Sequence, residues 1–314
     1  MIKMKLFVYG SRGSIPSPSI DGTKKSMTSK YGGNTTCYMI EASDKTLHII
    51  DGGTGIRVLG DDLMSVNYRG NMNVYFTHTH WDHIQGFPFF VPAYIKGNTV
   101  NVYGEAKVGG DLVDALSKNP DAVYSMPMTF QVNGDGIKDV LKEQQRFRNF
   151  PAPLEIMSGL GTFNDFMPGH KIYESKTLMI ETKEINHPGG CVSYKFTEKN
   201  SGKTITIATD FEPDYGPLDK RISEWFEGSN IVVADGQYER GSITNPFKET
   251  FGHSDFETDI ELCKKSGVKR LILTHHEPKM NDLYHTDLET RARDFGQKNG
   301  IDVQLAKESM VYEI

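Results

Sequence analysis

The six residues 78–83 constrain this chain more than any other segment. They read His-Thr-His-Trp-Asp-His and directly follow the apolar run 74–76, which is typical of a buried strand. Because side chains alternate along an extended backbone, His78 and His80 should point to the same side and offer two nitrogens to one metal ion. Asp82 and His83 offer an oxygen and a nitrogen to a second ion. Burying these groups unpaired would cost several kcal/mol, so the segment predicts a metal centre.

Zinc accepts this mixture of nitrogen and oxygen ligands readily. Manganese or iron could occupy the same set. The expected cofactor is therefore a pair of divalent metal ions, with zinc as the first choice.

Length and composition indicate a globular protein of 314 residues, with 37% apolar and 24% charged residues. No run approaches the ~20 apolar residues that cross a bilayer, so no membrane partner is expected. Three scattered cysteines favour the cytoplasm. A net charge of −6 argues against a stable nucleic-acid complex.

The sequence is compatible with a homodimer as well as with a monomer. We expect a single domain, 1–314, with an insertion at about 104–170 that holds helices at 111–117 and 137–148.

The pattern His-x-His-x-Asp-His closely resembles the signature of the metallo-β-lactamase superfamily of dinuclear hydrolases. The Gly-rich opening after residue 9 and the Gly-Gly-Asn-Thr segment at 32–35 resemble a subgroup that includes ribonuclease Z and cyclic-phosphate phosphodiesterases. Two runs of predicted strands, each followed by helices, fit the fold of that superfamily. The expected fold class is therefore α/β (α+β), a four-layer αββα sandwich.

The resemblance implies a ligand for each metal at the ends of further strands. It implies that the first metal is held by His78, His80 and His187, the second by Asp82, His83 and His275, and that Asp210 bridges the two. It also implies that Asp51 orients a ligand imidazole from behind. From the residues alone, His187 is as easily a turn residue as a ligand, and Asp51 could be a turn cap. His276 is the alternative to His275, and the Leu-Thr-His order favours His275.

The chemistry that the resemblance implies is hydrolysis by a hydroxide shared between two metals, since such ions lower the pKa of water from about 15.7 towards 7. Asp82 would take part as a ligand at the reacting centre. His253, in a Gly-His-Ser setting before a helix, resembles a proton donor to the leaving group. The alternative is a helix-entry histidine without a catalytic role. Arg12, Asn34 and Thr35 are further candidates for contacts to phosphate or substrate.

The leading prediction is a phosphodiesterase that acts on a small cyclic phosphodiester or cyclic nucleotide. A tRNA 3′-processing endonuclease is the first alternative, although no long basic arm for gripping tRNA is evident in the sequence. A thioester hydrolase of the glyoxalase II type would share the metal ligands. A metal-bound sensor without turnover is the non-enzymatic alternative. Asp210 stands where the main β-lactamase class has Cys, which argues against antibiotic hydrolysis.

Overall fold

Two seven-stranded sheets pack face to face, and helices cover their outer faces. The computed structural model describes residues 3–19, 27–106, 136–213, 220–243, 248 and 250–314. The predicted αββα sandwich is confirmed by this arrangement. The predicted helix at 111–117 lies outside the described residues.

The first sheet has the order β14-β1-β2-β3-β4-β5-β6. Its strands are β1 (Lys5–Gly10), β2 (Cys37–Glu41), β3 (Leu47–Ile50), β4 (Asn71–Tyr75), β5 (Thr99–Glu105), β6 (Leu160–Phe166) and β14 (Val311–Glu313). The pairs from β14 to β3 are antiparallel, and those from β3 to β6 are parallel.

The second sheet repeats this plan in the order β13-β12-β11-β10-β9-β8-β7. Its strands are β7 (Lys171–Glu174), β8 (Leu178–Ile185), β9 (Cys191–Glu198), β10 (Lys203–Ala208), β11 (Ile231–Asp235), β12 (Arg270–Thr274) and β13 (Asp302–Leu305). Strands β10 to β13 are parallel, and β7 to β10 are antiparallel. All five residues of β11 are buried, as expected for a parallel strand covered on both faces.

Helices and short 3-10 turns complete the outer layers. The helices are α1 (Gly55–Ser65), α2 (Trp81–Ile84), α3 (Ile137–Gln144), α4 (Lys220–Phe226), α5 (Arg240–Ile243), α6 (Phe256–Lys265) and α7 (Asp282–Asn299). Helices α1 and α3 pack on the first sheet, and α4, α6 and α7 pack on the second. No helix within the described ranges is both long and apolar enough to cross a bilayer.

The core between the sheets arises from strands whose inward residues are apolar. Leu6 and Val8 alternate with partly exposed neighbours along β1, and both are buried against residues of the second sheet such as Ile205 and Ile207. This period of two fixes which face of β1 points inward. The loops at one end of the sandwich are thereby held in register across both sheets.

Part of the segment predicted as an insertion, 104–170, belongs to the first sheet. Residues Leu160–Phe166 form β6, which pairs in parallel with β5. The predicted helix 137–148 is shorter, since α3 ends at Gln144. The residues of β6 are partly polar and show no clear period of two, which is why this edge strand was not predicted.

The sequence contains two capping-box patterns, Ser254 with Glu257 and Thr286 with Glu289, which predict helix starts at those residues, and both observed starts differ. The N-cap of α6 is Asp255, whose side chain accepts a hydrogen bond from the backbone of Thr258, and not Ser254. The last helix begins at Asp282 with Asn281 as its N-cap, earlier than the expected start at Thr286. Asp and Asn satisfy the open backbone N–H groups of a first turn as well as Ser or Thr do.

Candidate metal centre

Two candidate ligands and the carboxylate behind a third lie at the carboxyl ends of parallel strands from both sheets. Asp51 follows β3, Asp210 comes shortly after β10, and His275 follows β12. All three have positive φ angles, 64°, 59° and 57° respectively. This left-handed backbone is uncommon for residues other than Gly, and it is concentrated at functional sites. The turn that ends each strand therefore directs a polar side chain into one shared region.

His78, His80 and His187 form the first cluster, with one nitrogen from each lying within 4.8 Å of the others. His187 Nε2 lies 3.1 Å from His80 Nδ1. His187 Nδ1 is 2.9 Å from the carbonyl oxygen of Gly252. Because that contact requires the proton on Nδ1, the lone pair of His187 Nε2 remains available to bind a metal. His80 is exposed, so the centre opens to solvent on its side.

Asp82, His83, Asp210 and His275 form the second cluster, and all four are buried. His275 Nε2 lies 3.1 Å from Asp82 Oδ2 and 3.0 Å from Asp210 Oδ1. His83 Nε2 lies 3.3 Å from both Asp82 Oδ2 and Asp210 Oδ2. Two imidazoles and two carboxylates facing one point are a suitable donor set for zinc or another divalent metal.

Unpartnered nitrogens provide an independent test of the metal fit. Within the described residues, Nε2 of His78 is buried without a hydrogen-bond partner, and Nε2 of His83 is buried without a hydrogen bond of normal geometry, although two carboxylate oxygens lie 3.3 Å from it. Leaving a buried polar atom unsatisfied costs about 1–3 kcal/mol each. One such atom lies in each cluster, and a metal ion in each would satisfy it. The residues present therefore fit a metal centre.

Residues around the clusters hold the ligand rings in place. Asp51 Oδ2 lies 2.8 Å from His83 Nδ1, and Gln237 Oε1 lies 2.8 Å from His275 Nδ1. Each acceptor behind a ring keeps the proton on Nδ1 and leaves Nε2 facing the cluster. The backbone N–H of Ser14 donates to Asp82 Oδ2 at 2.8 Å. The predicted position of Asp51, behind a ligand imidazole, agrees with this geometry.

Burial and charge set the protonation of the metal-free clusters. Burial lowers the pKa of His78, and the charge of His83 lowers it further; burial lowers the pKa of His187 to about 4. Burial alone would also lower the pKa of His275, but Asp210 and Asp82 outweigh it and raise the value to about 10. The pKa of Asp210 lies well below its usual range, because His275 and His83 outweigh the effect of burial. The first cluster is thus neutral and the second is a network of paired charges.

His253 lies beside the second cluster and is paired with Asp235. Its Nδ1 is 2.7 Å from Asp235 Oδ2 and 4.0 Å from Asp210 Oδ1. The ring stacks on His275 with centroids 4.8 Å apart and planes inclined by 21°. Asp235 is fully buried and also accepts the backbone N–H of Gln237. A carboxylate at Nδ1 orients the imidazole and leaves Nε2 free for proton transfer, as acid–base catalysis requires.

The three residues predicted to contact substrate have their polar atoms directed into the protein. Arg12 is fully buried and donates to the carbonyl oxygens of Gly32, Glu277 and Met280. The side-chain amide of Asn34 donates to Glu308. Thr35 is buried, and its hydroxyl oxygen accepts from Thr54 N and Gln85 Nε2. In this geometry they hold the loops behind the centre, which differs from the predicted contact with substrate.

The choice of His275 over its neighbour agrees with the geometry. His276 is buried on the other side of the chain, where Nε2 lies 2.8 Å from the carbonyl oxygen of Ala306. Its ring contacts Tyr31 and His285. His48 is likewise buried away from the clusters, beside Tyr75 in the core. These histidines are structural.

The sequence analysis missed several residues that shape the site. Asp235 ends a buried strand, much as Asp51 and Asp210 follow theirs, so the same signal could have found it. Gln237 lies two residues further on and offers no comparable signal. Glu212 accepts the backbone N–H of Gly252 and thereby fixes the peptide segment whose carbonyl holds His187. Such contacts depend on tertiary structure.

Comparisons with known proteins agree with this geometry. Residues 68–276 match the family described as Beta-lactamase superfamily domain. A ribonuclease Z from Alkaliphilus oremlandii is 23% identical over 290 residues, covering 74% of this chain and 80% of that protein. The metallo-β-lactamase fold protein YhfI from Bacillus subtilis superposes with a TM-score of 0.63 at 15% identity, covering 100% of both chains. A diphosphatase of the PhnP family superposes with a TM-score of 0.62 at 17% identity, covering 99% and 98% of the two chains.

The chain belongs to the β-lactamase superfamily. It is a metal-dependent hydrolase of this class, and the two His/Asp clusters are where divalent ions would be held.

Proposed function

We propose that this hydrolase is a phosphodiesterase that acts on a small phosphodiester, such as a cyclic phosphate or cyclic nucleotide, with two divalent ions of which zinc is the first choice. One observation carries the proposal. The two ligand clusters lie together at one end of the sandwich, and a separate His253–Asp235 pair stands beside them. A metal centre accompanied by its own proton donor suits a substrate whose leaving group needs a proton.

Asp210 is the residue that we assign to both metals. It contacts His83 and His275 of the second cluster directly. Its negative charge also acts to raise the pKa of the three histidines of the first cluster, although burial leaves each of these values low. Divalent ions bound there supply an acidified water and a positive charge for a phosphate oxygen. The protein holds their ligands in largely buried positions, which limits competing water.

His253 is the residue that we assign to the leaving group. Asp235 engages Nδ1, so the proposal places the transferable proton on Nε2. That proton passes to the alkoxide oxygen as the P–O bond breaks, and His253 becomes neutral. A thiolate leaves without such assistance, so the pair favours a phosphodiester over the thioester of a glyoxalase II-like enzyme.

Asp210→Ala tests the metal assignment. We expect lower metal content and lower rate, because the variant removes the carboxylate shared by the clusters. His170→Ala is the matched control, since His170 is a histidine outside the clusters, between β6 and β7. Metal analysis of purified protein would contradict the assignment if Asp210→Ala keeps full occupancy.

His253→Ala tests the proton donor. We expect the variant to keep its metals and to lose about 10²–10⁴-fold in rate on diesters with alkyl leaving groups. Bis-p-nitrophenyl phosphate should be spared, because p-nitrophenolate leaves without a proton. Asp235→Asn should show the same selectivity with a smaller loss. Equal losses on both types of substrate would remove His253 from this role.

A second function is favoured by the relatives named ribonuclease Z, one of which matches 74% of the chain. In that case the substrate would be a precursor tRNA, and the same ligands and His253 would serve its cleavage. Incubating the zinc-loaded protein with a precursor tRNA and with a cyclic nucleotide separates the two. Cleavage of the tRNA at its 3′ side alone would replace the proposal of a small substrate.

A further inference from the structure

Trp81 is an exposed aromatic residue placed between two candidate metal ligands. It is the first residue of α2, it follows His80 and precedes Asp82, and 77% of it is exposed. Exposing so large an apolar surface to water is unfavourable, and a ligand that covers it would remove that cost. Its neighbours on both sides, exposed His80 and buried Asp82, each belong to one of the two clusters, so the backbone of Trp81 lies at the edge of the centre.

Two other exposed apolar side chains stand beside residues that contact the same centre. Ile15 is 59% exposed and follows Ser14, whose backbone N–H holds Asp82. Phe251 is 55% exposed and precedes Gly252, whose carbonyl holds His187. Three segments far apart in sequence thus each carry an exposed apolar side chain one residue away from a group of the centre or from a group that contacts it. We call Ile15, Trp81 and Phe251 the apolar collar.

The side chains that form the centre itself are polar. Near His80 the chain turns through Gly189, where an added Cβ would lie 3.9 Å from His80 Nε2, so the backbone itself approaches the centre there. A small diester with one flat aromatic group can be held by an exposed aromatic side chain, and Trp offers the largest stacking face.

We propose that Trp81 is a specificity-determining residue that stacks on the nucleobase of a nucleoside phosphodiester. The inference rests on the proposed phosphodiesterase function and names its substrate class. Stacking adds affinity for the base without touching the bond that breaks. Its removal should therefore raise KM for nucleoside substrates and leave base-free substrates unchanged.

The first experiment compares two substrates with the zinc-loaded protein. Adenosine 2′,3′-cyclic phosphate carries the base, and 1-O-methylribose 2,3-cyclic phosphate has the same sugar and phosphate without it. Trp81→Ala should reduce kcat/KM on the adenosine substrate about tenfold, through KM, and leave the base-free substrate within about twofold. Trp81→Phe should restore most of the loss. Val66→Ala, which removes an exposed apolar side chain at the C-terminal end of α1, should change neither.

Equal losses on both substrates would overturn the proposal, because they would place the effect in the metal centre. An unchanged adenosine rate would overturn it as well. Metal content is measured for each variant, since Trp81 is flanked by ligands. If the wild type hydrolyses neither substrate, the proposed function fails, and a binding measurement then decides the stacking proposal separately.

The binding measurement uses the fact that the chain has two tryptophans. Trp225 packs under Lys195 and donates through Nε1 to Ser193 Oγ. In a Trp225→Phe variant, Trp81 is therefore the reporter. Adenosine 5′-monophosphate should quench its fluorescence in the zinc-loaded protein, whereas ribose 5-phosphate should not. Absence of quenching by the nucleotide, or equal quenching by both compounds, would overturn the assignment of Trp81 to the base.

Discussion

Replacing Asp51 with asparagine tests whether a residue behind the ligands controls the second metal site. Asp51 Oδ1 accepts hydrogen bonds from the backbone N–H and the hydroxyl of Thr77, and Oδ2 lies 2.8 Å from His83 Nδ1. An asparagine side chain is nearly the same size, but it has one acceptor oxygen and one donor NH₂ group. It can therefore serve only one of these two partners as an acceptor.

Neither orientation of the new amide restores the native arrangement. If its oxygen accepts from Thr77, its NH₂ group faces His83 Nδ1, and the ring must carry its proton on Nε2, the atom needed for the metal. If its oxygen faces His83, its NH₂ group lies against the backbone N–H of Thr77, and two donors oppose each other. Asp51→Asn also removes a buried negative charge next to the imidazole in both cases.

The expected magnitude follows from two independent scales. The loss of one hydrogen bond to a charged group corresponds to about 1.5–3 kcal/mol. Residues that orient metal ligands from behind contribute about 10–100-fold to metal affinity, which is about 1.4–2.7 kcal/mol. The two magnitudes agree, so we expect the second zinc site of Asp51→Asn to be weakened about 10–100-fold.

The assay is a zinc titration against a competing chelator, which resolves the two sites by affinity. The site that contains His83 should weaken more than the other, because Asp51 contacts His83 directly and reaches His78 only through the hydroxyl of Thr77. Asp61→Asn is the control, since Asp61 is an exposed carboxylate in an i,i+4 pair with Arg57 on α1. Two unchanged sites would refute the reasoning, and so would an equal weakening of both.

Three further outcomes follow from the same structure. Gly13→Ala should weaken the second metal site at least about tenfold, because the new Cβ would overlap the His275 ring. In the control Gly241→Ala, the new Cβ meets nothing within 4 Å in the described part of the chain, so zinc affinity should not change. Zinc titration measures both variants. The metal-free protein should lose thermal stability as pH rises towards about 10, because the pKa of His275 is raised from its ordinary 6.5 to about 10 in the folded state. The stabilisation from its charge is complete below pH 6.5 and is lost as pH rises through about 10. A Tm that falls no more than that of the zinc-loaded protein over this range would contradict the prediction. Ile207→Ala should reduce the free energy of unfolding by about 2–5 kcal/mol, measured in urea, because Ile207 is fully buried between the sheets.

Much of the fold was predictable because the buried strands are apolar and end in polar residues. The apolar runs 47–50, 204–208 and 271–273 predict the strands before Asp51, Asp210 and His275 in this way, and the family resemblance supplied the order of the layers. Strand β6 was not predicted, because its residues alternate weakly and its pairing with β5 depends on a partner distant in sequence. The starts of α6 and α7 differed from the predicted ones, because several neighbouring residues could serve as caps.

The sequence by itself determined the type of chemistry. Three histidines and an aspartate within residues 78–83 require partners wherever they are buried, and a metal is the partner that satisfies them together. The spacing of residues within one short segment does not depend on the rest of the fold, which is why this part could be inferred directly.

The tertiary structure decided which distant side chains join that segment and which do not. It separates His275 from His276 by the turn at one strand end, and it directs Arg12 into the protein to bind carbonyl oxygens. It also pairs His253 with Asp235 and leaves Trp81 exposed beside the centre. The physical reason is that these contacts form only when the carboxyl ends of strands from both sheets meet, and no local pattern encodes that meeting.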